Sequence, residues 1–183
     1  MTKISSKPLK KAVDFSVNLV LKGAIGLALI LPYDTRVRTM GWLTAQVLGP
    51  IGGFRKRVRN NLAHVRPDLP TDEVKRLSRA VPNNAGRTLI EIYSSEEFVR
   101  RAIKAPIEGP GLARLEKARA EGRPIILVTG HIGNYDAVRA NLIHRGYNMG
   151  ALYRRMSNPY FDEHYVKSIS KIGTPMFEQG RKG

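Results

Sequence analysis

The chain has 183 residues, enough for one domain with a hydrophobic core. Its formal charge is +16, and residues 1–66 hold twelve Lys/Arg against only Asp14 and Asp34, an excess that favours phosphate-bearing partners such as nucleic acid, anionic lipid or an acidic carrier protein. The absence of cysteine excludes disulfide scaffolds, thiolate zinc sites and a cysteine nucleophile.

Lys3, Lys7, Lys10 and Lys11 precede an apolar run from Leu19 to Leu31, which only Lys22 interrupts and Pro32 stops. Extended back to Ala12, the run reaches the ~20 residues that a membrane-spanning helix needs. It then contains Asp14, Asn18 and Lys22, which recur every four residues and share one helical face. The pattern serves an amphipathic helix lying in the interface, a marginal span with its polar stripe against protein, or a core helix. A secretory signal fits less well, because Pro32-Tyr33-Asp34-Thr35-Arg36 lacks the small-x-small cleavage pattern. If the run spans, the four lysines favour a cytoplasmic N-terminus. A second apolar piece, Met40 to Leu48, carries the only tryptophan, Trp42, and Arg55, Lys56, Arg57 and Arg59 follow it. Tryptophan beside Lys/Arg suits the lipid headgroup zone; a solvated basic loop is the alternative. The expected division is therefore residues 1–50 as a membrane-facing part and 51–183 as the remaining body.

Residues 71–104 read as helices. Thr71 is a candidate cap, with Asp72 and Glu73 in the first turn. Pro82-Asn83-Asn84 marks an interruption, and a second helix is expected from about Ala85 to Lys104, with Arg87 and Glu91 as an i, i+4 ion pair. Pro106 and Gly109-Pro110-Gly111 punctuate. Leu112, Leu115 and Ala118 mark a short helix closed by Gly122. A buried parallel strand is expected over Pro124–Thr129, a helix from about Asn134 to Arg145, and a second strand over about Asn148–Tyr153. This β-α-β pattern makes the fold class α/β, and the strand ends deliver His131 and Arg154 to one edge of the sheet, where open α/β sheets place their chemistry. Asn158 and Pro159 suit the N-cap and N1 positions of a further helix with Phe161, Tyr165 and Ile169 as its apolar stripe. Thr174 to Phe177 is a candidate third strand.

The sequence Ile125-Ile126-Leu127-Val128-Thr129-Gly130-His131-Ile132-Gly133-Asn134-Tyr135-Asp136 carries the chemistry. A histidine that titrates near neutrality can take the proton of a hydroxyl as its oxygen attacks a thioester. Asp136 is placed to accept from one ring nitrogen and leave the other for substrate. Arg154, helix-start amides near Gly133 and Asn134, or both are candidates to stabilise the oxyanion. Gly130 and Gly133 let substrate approach the backbone closely. On spacing alone, a structural histidine and an aspartate that merely complements a helix dipole account for the same residues. No HExxH or cysteine cluster supports a metal site.

The segment Gly122–Asp136 resembles the lipid A biosynthesis lauroyl/myristoyl (late) acyltransferases, a branch of the lysophospholipid acyltransferase superfamily. Their motif is a histidine, four residues and an acid, often H-x-G-N-[WY]-[ED], which lands on His131, Gly133, Asn134, Tyr135 and Asp136. The family more often has glutamate at the acid. Asn60-Asn61-Leu62, Gly86-Arg87 with Glu91, and Tyr153-Arg154 followed by Asn158-Pro159 are similar to other family segments. The resemblance implies a superfamily-like sheet flanked by helices, with an N-terminal membrane-associated helix. It implies fatty acyl transfer from acyl carrier protein, or acyl-CoA, to a hydroxyl of a lipid A precursor at the cytoplasmic face of the bacterial inner membrane. His131 is then the general base, Asp136 its partner, Arg154 an oxyanion or substrate-phosphate contact, and Asn158 a weaker candidate. No metal or redox cofactor and no nucleic acid is implied. Family members continue well past Gly183, so a fold incomplete at the C-terminus, and even an inactive remnant, is expected. Acylation of another polar lipid, such as a phosphatidylinositol mannoside or a lysophospholipid, and a non-enzymatic basic membrane- or nucleic-acid-binding protein are the rival readings.

Overall fold

The computed structural model describes residues 8–180. Helices dominate: α1 (Pro8–Ile30), α2 (Tyr33–Leu43), the π-helical segment Thr44–Leu48, α3 (Gly49–Ile51), α4 (Phe54–Val65), α5 (Thr71–Tyr93), α6 (Ser95–Ala102), α7 (Leu112–Ala120), α8 (Asp136–His144) and α9 (Pro159–Ser170). Two short strands, β1 (Ala151–Tyr153) and β2 (Met176–Glu178), complete the described elements. The described residues form two compact units, one made of those through Asn18 together with those from Ser95 on, the other of Leu19–Ser94.

In the Leu19–Ser94 unit, α5 supplies a ridge of residues four apart. Ser78, Pro82, Gly86 and Ile90 are all buried on it, and Gly86 lets neighbouring backbone come close. A Cβ on Gly86 would meet the Thr44 side chain and lie 2.5 Å from the Met40 carbonyl oxygen, and one on Gly41 would lie 2.7 Å from Arg87 Cγ. The expected break at Pro82-Asn83-Asn84 is absent, since α5 runs unbroken through Pro82. An interior proline costs ~3 kcal/mol, but this ring is fully buried and a Cβ on Gly49 would lie 3.3 Å from it. Packing offsets the lost hydrogen bond. Thr71 proves to be the first helical residue rather than the cap, which falls on Pro70. Glu91 accepts from the Tyr33 hydroxyl at 3.2 Å.

In the other unit, the expected strand over Pro124–Thr129 does not form. The stretch has no regular structure, and Ile126 and Val128 are 91% and 93% exposed. Strands need a hydrogen-bonded neighbour, and no ladder partner faces this segment among the described residues. The β-α-β unit exists one step later in the chain. β1 and β2 pair in parallel through α9, with Ala151 opposite Met176, Leu152 opposite Phe177 and Tyr153 opposite Glu178. The second strand is thus shorter than expected, and the candidate third strand is its partner. The chain is mostly helical with a small parallel sheet, so the α/β expectation holds only loosely.

α1 has 23 residues and an 18-residue window of mean hydropathy 1.7, which makes it long and apolar enough to cross a membrane by length and composition. Asn18, Ile25 and Ala28 are buried along it, whereas Leu9, Val20, Leu27 and Ile30 are exposed. Of the polar stripe, Asn18 faces protein and Lys22 faces out. Asn18 Oδ1 is the buried side-chain atom left without a hydrogen-bond partner among the described residues.

Candidate active site

α8 begins at Asp136, two residues later than expected, and the start is built by Asn134. The Asp136 amide donates to Asn134 Oδ1 at 3.1 Å, and the Ala137 amide donates to the Asn134 carbonyl at 3.1 Å. Gly133 just before has φ +60, and a Cβ there would meet nothing within 4 Å. The left-handed turn therefore needs glycine for its backbone rather than for space.

The Asp136 carboxylate is buried, and its partner is a residue that the motif did not single out. Arg139, one turn on, donates from Nε to Asp136 Oδ1 at 2.7 Å; the two side chains are 5% and 8% exposed. Arg139 also donates from Nη1 to the Gly173 carbonyl at 3.0 Å and from Nη2 to the Ile169 carbonyl at 3.2 Å. The guanidinium so ties the first turn of α8 to the C-terminal end of α9, where the helix dipole favours a cation. Among the described residues, the Asp136 carboxylate's hydrogen bond runs through Oδ1. In the sequence, the only signal of Arg139 is its i, i+3 spacing from Asp136, which by itself suits a solvated surface pair. Burial is what makes it a fixture.

His131 is exposed, and its ring lies edge-on to Tyr135 with centroids 4.5 Å apart. It makes no hydrogen bond to Asp136, so the structure places the two motif residues near one helix start without joining them. Tyr135 is half-buried. Burial pushes its phenol up from the ordinary tyrosine value, a hydrogen bond with Tyr165 works against that shift, and the Asp136 charge adds to it. Tyr135 is therefore held neutral beside the imidazole.

The two arginines after β1 divide their duties. Arg155 bridges Asp162 at 3.4 Å and Glu178 at 3.3 Å, linking α9 to β2. Arg154 is exposed and engages no ion pair among the described residues. Asn158 caps α9 as expected: its Oδ1 accepts from the Tyr160 and Phe161 amides at 3.1 and 3.2 Å. Its Nδ2 donates to the Asp14 carbonyl at 2.7 Å, so both ends of this amide are engaged. Among the described residues, no group of three or more His, Asp or Glu is arranged to hold a metal.

An exposed histidine, a buried carboxylate with one oxygen clamped, and an unpaired arginine at a strand end are groups suited to proton transfer at an anionic substrate. Residues 3–181 match the bacterial lipid A biosynthesis acyltransferase family, and the chain belongs to it. The family's chemistry is acyl transfer in lipid A biosynthesis. Comparison with curated proteins and with solved structures gave no match.

Proposed function

We propose that this chain transfers a fatty acyl group from acyl carrier protein to a hydroxyl of a lipid A precursor at the cytoplasmic face of the inner membrane, with His131 as general base and Asp136 as its orienting partner. Acyl-CoA is the alternative donor, and no metal or redox cofactor is called for. Residues 1–50 serve as the membrane-facing part and 51–183 carry the chemistry. The observation that supports this reading best is the H-x-G-N-Y-D motif at a loop-to-helix junction, with the Asp136 carboxylate buried and held through Oδ1.

The steps follow from those groups. The acceptor oxygen attacks the thioester carbonyl while His131 takes its proton, forming the carbon–oxygen bond and placing negative charge on the carbonyl oxygen. Collapse breaks the carbon–sulfur bond. The imidazolium then returns the proton to the departing thiolate, leaving an ester and a free thiol. Asp136 Oδ2 is the position from which a carboxylate can accept from the imidazole and stabilise its cation. Reaching it requires the ring to leave Tyr135, and catalytic hydrogen bonds of this kind often tighten only when substrate arrives. Arg139 fixes the carboxylate that the imidazole must find. Arg154 is free to meet the oxyanion or a lipid phosphate, and the helix-start amides near Gly133 and Asn134 are the other candidates for the oxyanion. Asn158 keeps its side chain for the α9 cap and acts by holding the loop that carries Arg154. The +16 charge suits an acidic carrier protein and a phosphorylated lipid.

The test is acyl transfer in detergent micelles, from labelled acyl carrier protein to a Kdo-bearing lipid A precursor, with His131→Ala in parallel. The expected loss on substitution is roughly 10²–10⁴-fold, the usual worth of a general base. Full transfer by His131→Ala would remove the histidine from the mechanism. Transfer only to a lysophospholipid or a mannoside acceptor would move the chain to another acceptor class.

A further inference from the structure

The corner between α3 and α4 is an apolar tip beside a run of cations, and Arg55 clamps it. In the π-helical segment the Gly49 amide donates to the Thr44 carbonyl, five residues back. The next carbonyl in that register, Ala45, faces residue 50, which is a proline and has no N–H to give. Arg55 supplies the missing donors. Its Nε and Nη2 reach the Ala45 carbonyl at 3.2 and 2.6 Å, and Nη2 also reaches Gln46 Oε1 at 2.7 Å. The clamp pins the first turn of α4 back onto the π-helical segment, and Gly53 turns the chain between them at φ +69.

What this clamped corner presents is apolar and outward. Ile51 is 81% exposed, and Leu48 and Phe54 are exposed with it. Arg57 lies over the Phe54 ring, 5.7 Å from its centroid. Lys56 and Arg59 are exposed on the same helix, and no residue of α4 is fully buried. Between Asp34 and Asp68 the chain holds seven Lys/Arg and no carboxylate. A solvated basic helix has no use for an isoleucine and a phenylalanine held out at its tip. A protein partner of mixed charge would leave these cations without acidic counterparts on their own surface to set the register. Apolar side chains that enter an acyl layer, with cations at phosphate height, fit one kind of surface.

We propose that the Leu48–Phe54 corner, with Lys56, Arg57 and Arg59, docks on an anionic phospholipid bilayer as a lipid contact separate from α1. The inference deepens the membrane location in the proposed function and does not depend on the acyl transfer step. It orients α4 with its first turn toward the headgroups and its Val65 end away from them.

The test uses the full 183-residue chain. Trp42→Phe removes the only tryptophan, and Ile51→Trp then places a single reporter at the tip. Vesicles of phosphatidylcholine with phosphatidylglycerol, brominated on the acyl chains, quench a tryptophan only where it enters the bilayer. The reporter at position 51 is expected to be quenched, and a matched Val65→Trp reporter to be unquenched. Adding Lys56→Glu and Arg57→Glu should lower the quenching-derived affinity at least about tenfold, as loss of near-surface cations does. An unquenched position-51 reporter in chain that has sedimented with the vesicles would overturn the proposal and leave α1 as the anchor. Equal quenching in pure phosphatidylcholine would overturn the role of the cations. A blue shift that rises with protein concentration without lipid would give the corner to a second copy of the chain. Circular dichroism of each variant, matched to the parent, shows that the reporter sits in folded protein.

Discussion

Helix α8 and the stretch Pro124–Ile132 are adjacent in sequence, and they answer to opposite physical demands. In α8, Asp136, Arg139, Ala140, Asn141 and Leu142 are all buried, and the polar ones are paired. Asn141 gives its amide hydrogens to the Ala102 and Ala105 carbonyls at 2.9 and 2.8 Å, which closes the C-terminal end of α6. In the preceding stretch the aliphatic side chains point outward and carry no ladder bonds among the described residues. The charged residues Asp136 and Arg139 of α8 are thus inside, while the aliphatic side chains of the preceding stretch are outside. Charges tolerate burial here because each finds a fixed partner. The aliphatic run stays out because nothing among the described residues offers it a partner. His131 sits at the seam, on the exposed side, and Asp136 on the buried side. The catalytic reading requires a group from the exposed side to meet one from the buried side.

The largest expected loss of stability follows from Arg139→Met. Removing one member of a buried ion pair leaves the other charge unpaired and typically costs 3–5 kcal/mol, here about that much. The Gly173 and Ile169 carbonyls lose the guanidinium's hydrogen bonds as well, although Ile169 keeps the Ile172 amide. The loss should appear as a lower urea midpoint at unchanged slope. Arg139→Lys keeps the charge but not the planar fork, so it should recover only part of the stability. A midpoint within error of the parent for Arg139→Met would show that the pair does not organise α8. Acyl transfer measured on Arg139→Lys then separates clamp from catalysis. A fall in kcat at unchanged KM, in a variant that is still folded, points to a misplaced carboxylate.

The contrast also explains which features the sequence disclosed. Asn158-Pro159 was readable because a cap is made within three residues, between Oδ1 and amides at 160 and 161. Gly122 closing α7 was readable for the same local reason, with its φ of +65. The motif residues His131 and Asp136 were visible as types at a spacing. Their environments were not, because burial of Asp136 depends on Gly173 and Ile169, some thirty residues away. A Cβ on Gly173 would collide with the Ile143 side chain, so even that approach rests on a distant glycine. Pro82 misled for the opposite reason: the local rule says break, and a buried ring against Gly49 overrules it. The strand over Pro124–Thr129 failed because residue pattern sets a preference for extended chain, while a partner decides whether a strand exists.

A smaller effect tests whether the cap at α9 belongs with the fixed side. Asn158→Ala removes the acceptor for two amides and the donor to the Asp14 carbonyl. The expected cost is about 1 kcal/mol, the usual worth of an N-cap. Asn158→Asp keeps the acceptor and loses only the donor, so it should sit between the two in thermal denaturation. If Asn158→Asp and Asn158→Ala fall together, the bond to Asp14 rather than the cap holds the loop that carries Arg154.

The smallest effect belongs to the exposed stretch. Val128→Ser and Ile126→Ser replace side chains already in solvent, and substitutions of that kind usually change stability by less than ~0.5 kcal/mol. Neither buried area nor a hydrogen bond is lost, so urea midpoints should match the parent. A drop of a kilocalorie or more would mean that Ile126 and Val128 are covered in solution, and that the segment pairs or packs there. That result would also change the account of His131, three residues beyond Val128. A covered segment would fix the histidine's backbone in place, whereas an uncovered one leaves the ring free to exchange Tyr135 for Asp136. Stability of two serine variants therefore reports on whether the His131 of the proposed mechanism is free to reach Asp136, without any assay of transfer.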